Sequence, residues 1–200
     1  MTGTGPLSPE TALSAWMGEI AAHGWAGASI EGAAARAGAT PEALLAAIGT
    51  AADALGAFAD RVAREAALAA ATGASVRDRL FGGFMAGFDA LQAERAAVLR
   101  LLAARDPLLA VRAAGWGVAG LRRIAAVAGV DVTGPAGALR VAALGTVAAR
   151  ALNAWRSDES ADLSRTMSEL DRLLAEAETV AREGLSLRAF GISLPGTARD

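Results

Sequence analysis

Apolar residues recur at helical spacing along almost the whole chain. Leu13, Trp16, Met17 and Ile20 fall at i, i+3, i+4 and i+7, one stripe of an amphipathic helix. Ser8-Pro9-Glu10 opens that helix, with Ser8 as N-cap and Pro9 at the first helical position, and Gly24 closes it. Ser29 caps a second helix that ends at Gly38 with Arg36 in its last turn. Thr40, Pro41 and Glu42 open a third, whose apolar positions are Leu44, Leu45 and Ile48. The pattern predicts a compact trihelical unit over residues 1–50. The tight turn at Gly38 gives its second and third helices the layout of a helix-turn-helix.

The same period continues beyond it. A fourth helix is expected from near Asp53 to about Thr72, carrying Leu55, Phe58, Val62 and Leu68. Ser75 caps a fifth, in which Val76, Leu80, Phe84 and Phe88 repeat every four residues. A sixth with Val98, Leu101 and Leu102 precedes Asp106-Pro107, which starts a segment running to Gly129. Residues 131–137, DVTGPAG, read as a loop. Two longer helices follow at roughly 137–156 and 161–183. In the last, Leu163, Met167, Leu170, Leu174 and Ala177 form a near-heptad stripe suited to helix–helix packing. No β-sheet fits this pattern, so the expectation is an all-α protein with a head (1–50), a helical body (51–184) and a tail (185–200). The tail alternates apolar residues with Gly191, Pro195 and Gly196, and fits a docked arm as well as a disordered end.

Composition narrows the chemistry. Hydrophobic residues make up 54% of the chain, enough for a substantial core, and their Ala and Leu bias favours helix. There is no cysteine, hence no disulfide framework or thiolate metal site. With no signal peptide and no uncharged apolar run of spanning length, the expected location is the cytoplasm. Net charge is −2 and all nineteen basic residues are arginine, so no global basic balance points to nucleic acid. His23 is the only histidine, and lysine and tyrosine are absent, which leaves almost no nucleophile–base pair to build an enzyme from. Asp158, Glu159 and Asp162 read as a solvated acidic loop rather than a metal site. Gly115, Gly117 and Gly120 spell G-x-G-x-x-G, but inside a helical region, where the motif lacks its strand and means close packing or a locally opened helix.

The stretch SAWMGEIAAHGWAGASIEGAAARAGATPEALLAAI resembles the N-terminal domain of TetR-family transcriptional regulators. The later stretches VRDRLFGGFMAGFDALQAERAAV, RDPLL and NAWRSDESADLSRTMSELDRLLAEAE resemble the ligand-binding and dimerisation domain of one branch of that superfamily. That branch is similar to the COQ9 family, TetR-fold proteins of ubiquinone biosynthesis that bind lipid rather than DNA, and IGTAADAL (48–55) has COQ9-like spacing. The resemblance spans about residues 9–183. It implies a homodimer paired through its last two long helices, with an apolar pocket among the middle helices and no cofactor.

By that resemblance, the DNA-facing positions are Ser29, Arg36, Thr40, Glu42, Leu45 and Ala46. They suit the task poorly. Where such regulators carry a Tyr, polar or basic residues and then a Lys, this chain has Leu45, Ala46, Ala47 and Ala51 or Ala52. Arg36 is the only arginine before Arg61, and phosphate binding depends on several such cations. Pocket candidates are Leu80, Phe84, Phe88, Leu101, Trp116, Leu144 and Trp155, with Arg112, Arg122 and Arg123 available to an acidic head group. Dimer-interface candidates are Leu163, Met167, Leu170 and Leu174. Two functions are therefore expected: a regulator whose DNA-binding head answers to an apolar ligand, or an accessory protein that binds a lipid or quinone and has lost its operator.

Overall fold

The computed structural model describes residues 6–183. They form nine helices and no strand: α1 (Pro9–His23), α2 (Ile30–Ala37), α3 (Pro41–Ile48), α4 (Ala51–Ala69), α5 (Val76–Ala93), α6 (Arg95–Ala103), α7 (Pro107–Ala128), α8 (Gly134–Arg156) and α9 (Ser164–Glu183). The tail after Gly184 lies outside the described residues.

Local chemistry sets most of the boundaries. Ser8, Ser29 and Thr40 each accept a hydrogen bond from a first-turn amide, Thr11, Gly32 and Ala43 respectively. Thr50 and Asp53 form a capping box that opens α4 two residues before Asp53, and Ser75 and Asp78 form another at α5. Gly38 and Gly129 adopt left-handed conformations (φ 62° and 92°), so the α2 and α7 ends turn back onto their own carbonyls. The expected 131–137 loop is shorter in the structure, because α8 begins at Gly134 with Pro135 in its first turn.

α1 is the hub of the N-terminal unit. Its buried face, including Leu13, Trp16, Met17 and Ile20, packs against α2, α3, α4 and α6. α4 is the hub of the body and lies mainly against α5 and α7, while α9 closes the far side on α5 and α8. One stretch, Pro41–Ala69, is long and apolar enough by composition to cross a membrane. Gly49, with φ 83°, breaks it into α3 and α4, and Leu44, Leu55 and Phe58 from both pieces sit in the core.

Two expectations about α9 and its approach change. Leu163, Leu170 and Leu174 are only 2%, 0% and 3% exposed within a single chain, and Met167 is half-buried. Their stripe is consumed by the chain's own core, so it is not a free dimer interface. The outward side of α9 instead carries ion pairs, with Arg150 and Arg172 both reaching Glu169 and Glu176. The loop before α9 is not simply solvated either, because Asp158 is buried. One oxygen of its carboxylate accepts from the Thr166 amide (2.8 Å) and hydroxyl (2.7 Å), and the other from the amide and hydroxyl of Ser160. Burial alone would push this carboxyl up, but those four hydrogen bonds outweigh it and hold Asp158 far below the usual carboxylate range.

Candidate functional site

Five helices, α4 to α8, surround a cavity of about 500 Å³. α4 supplies Leu55, Phe58 and Val62, α5 supplies Phe84 and Phe88, and α6 supplies Val98 and Leu101. α7 forms one long wall with Leu109, Trp116 and Ile124, and α8 contributes Leu152. Asp106 is the one charged side chain on the lining. The volume lies within the range of small-molecule sites, and the wall is more uniformly apolar than most.

Small residues make the space. A Cβ on Gly83 would stand 3.0 Å from the Ala66 carbonyl and from Ile124, so only glycine lets α5 close this tightly on α4 and α7. Gly120 packs on Ala63 at ordinary contact distance, 3.4 Å from where a Cβ would be, while Gly117 lines the cavity with nothing within 4 Å of its Cβ direction. The Trp116 indole lies against Gly56, 3.5 Å from where a Cβ would be. The G-x-G-x-x-G stretch is thus continuous helix: Gly120 packs, Gly117 opens the cavity and Gly115 faces outward.

Of the pocket candidates, Phe84, Phe88, Leu101 and Trp116 line the cavity. Leu80, Leu144 and Trp155 do not; they are buried in the surrounding core. Trp155 is covered by the Arg95 guanidinium, 4.6 Å from the ring centre, which also donates to the Trp155 carbonyl. Arg112, Arg122 and Arg123 are absent from the lining, and Arg122 is turned to the Val132 carbonyl instead. Val62 was legible in the sequence only as a helix-face residue and Ile124 was not singled out, since core and cavity share one apolar period.

The DNA-facing candidates are spent on the head's own structure. Ser29 and Thr40 are caps. Arg36 donates from Nε to Glu19 (2.8 Å), whose carboxylate is 3% exposed and sits over Gly32, in space a Cβ would fill. The Arg36 hydrogen bond, helped by His23 and the Ser29 amide, outweighs burial and holds Glu19 below its ordinary value. Glu19 was missed in the sequence, where the only signal was an acid within α1's apolar stretch facing a head with a single arginine. What α3 leaves exposed is Glu42, Leu45 and Ala46. Glu42 is held ionised by its own amide and by Thr40, so the exposed side of α3 carries an anion.

The head and the cavity share one residue. Asp106 caps α7 through the Leu108 and Leu109 amides, lines the cavity and accepts the Trp25 indole N–H at 2.7 Å. No family model and no curated protein matches the chain.

Proposed function

We propose that this protein binds an apolar small molecule or lipid in the cavity between α4 and α8, and that its N-terminal unit is not a DNA reader. The cavity carries the reading: about 500 Å³ lined by aliphatic and aromatic side chains, with Asp106 as the sole charged lining residue. A cavity of this kind favours a hydrocarbon-rich ligand, because each polar atom brought inside without a partner is costly. A ring or isoprenoid-like chain stacked on Trp116, with one hydrogen-bond donor directed at Asp106, matches the wall best. The head supports the same reading, since its one arginine is engaged by Glu19 and its exposed helix offers a carboxylate and alkyl groups. This is the accessory, lipid- or quinone-binding branch of the TetR resemblance.

The test is native mass spectrometry of gently purified protein, followed by titration with quinones and fatty acids. Wild type is expected to carry or take up such a compound with a change in Trp fluorescence, and Trp116→Phe to lose most of that change. Repeated recovery of empty protein that responds to none of these ligands would count against the reading.

A ligand-controlled regulator is the second reading, favoured by the Trp25–Asp106 hydrogen bond, which ties the head to the cavity wall. It requires binding of DNA from the protein's own upstream region that persists near physiological salt. The accessory reading expects none.

A further inference from the structure

α7 has two differently used sides. Leu109, Trp116, Gly120 and Ile124 face the cavity and core, whereas Leu108, Val111, Gly115, Val118 and Arg122 follow one another along the outward face. Leu108, Val111 and Val118 are 60%, 70% and 51% exposed. On the neighbouring α8, Leu139 is 70% exposed. Isolated exposed apolar residues are ordinary, but a row of them on one helix is not.

α7 itself carries Arg112, Arg122 and Arg123 and no acid. From Pro107 to Arg156 the chain has six arginines and a single acid, Asp131, in a protein whose net charge is −2. Asp131 is already engaged by Arg140. Arg112 and Arg123 flank the row and make no hydrogen bond or ion pair among the described residues, Arg112 being only within electrostatic reach of Asp53 and Asp106. A second copy of the chain fits such a face poorly, because two-fold pairing would set the α7 arginines against one another. An anionic bilayer surface fits it on both counts, taking the alkyl groups at headgroup depth and the guanidinium groups on its phosphates.

The cavity opens on the other side of α7 from this row. Ala110, Ala113 and Gly117 of α7 and Leu102 of α6 line the cavity and are exposed to solvent, so they mark its mouth.

We propose that the outward face of α7 docks on an anionic lipid surface. The docking goes beyond the ligand reading and stands or falls separately from it, because vesicle binding is measured without any cavity ligand. The experiment is co-flotation of the full chain with phosphatidylglycerol/phosphatidylcholine vesicles and with phosphatidylcholine vesicles alone. Wild type is expected to float with the anionic vesicles and to be released by salt. Arg112→Gln with Arg123→Gln should weaken binding about thirtyfold, from roughly 1 kcal/mol per arginine near the surface. Val111→Asp with Val118→Asp should weaken it about tenfold or more, while Leu68→Asp, an equally exposed position on α4, should leave it unchanged. All these positions are exposed, and circular dichroism checks that each variant is folded; the arginine pair carries the test if the aspartate pair is not. Wild type that ignores anionic vesicles, or an aspartate pair that floats normally, overturns the proposal. So does a dimer in sedimentation that the aspartate pair dissociates without any vesicle binding, which would assign the face to a second copy.

Discussion

Arg36→Ala separates a structural arginine from a phosphate-binding one. In the native chain the Glu19 carboxylate is 3% exposed and depends on the Arg36 guanidinium at 2.8 Å, with His23 at 3.8 Å and the Ser29 amide as lesser partners. Removing one partner of a fully buried ion pair typically costs about 3–5 kcal/mol, because a charge is left unpaired. Here Arg36 is itself 40% exposed and the Ser29 amide remains, so solvent screening reduces the expectation. A loss of about 2 kcal/mol remains, equivalent to a fall of roughly 6 °C in Tm for a chain of this size. The pH dependence supplies a sign. In wild type, Glu19 is depressed in the folded state, so its stabilisation is present above the ordinary carboxylate value and is lost as pH falls through the folded value. In Arg36→Ala the largest lowering cause is gone, so the folded value rises towards the ordinary one and less of that stabilisation is present at neutral pH. The gap between the two melting curves should therefore widen from pH 4 to pH 7, by about 1.4 kcal/mol for each tenfold difference in the carboxyl's proton affinity between the two folded proteins. Glu19→Gln in the Arg36→Ala background should recover about half the loss, since a neutral amide fits above Gly32 at lower desolvation cost. Thermal melts of the single and double variants across that range measure all three. If Arg36→Ala melts with wild type at pH 7 and loses only DNA binding, the internal role is wrong and the regulator reading gains.

Two further outcomes test the body. Leu170→Glu places an unpaired carboxylate at a fully buried position, so it should destabilise the chain by more than about 3 kcal/mol instead of merely splitting a dimer; a folded variant with altered sedimentation would restore the α9 stripe as an interface. Asp158→Ala strands the amides and hydroxyls at the start of α9 and should cost about 2 kcal/mol at neutral pH. Because Asp158 is depressed in the folded state, that contribution is present above the ordinary carboxylate value and fades as pH drops below about 4, so the wild-type and variant melts should converge in acid.

The helical class and most helix starts were legible because they are local. An N-cap, a first-turn proline or a closing glycine acts within four residues, and each of Ser8, Ser29, Thr40, Ser75, Asp106, Gly38 and Gly129 does what its neighbours imply. The α4 start was missed by two residues because Thr50 and Asp53 cap jointly, and Asp53 alone drew attention.

What a residue faces is decided at longer range. Apolar period tells that Leu170 and Trp116 are turned inward, but core, cavity and dimer seam share the same spacing; only packing shows that the first meets α5 and α8 and the second an open space. Charge is alike. The sequence showed that the head has one arginine, and the tertiary structure decided that Glu19, seventeen residues earlier, takes it. The sequence by itself determined an all-helical chain with a head poor in cations, through short-range hydrogen bonding and composition. The structure alone placed the cavity, its mouth along α7 and the engagement of Arg36, because each depends on which helix faces arrive together once the core has closed.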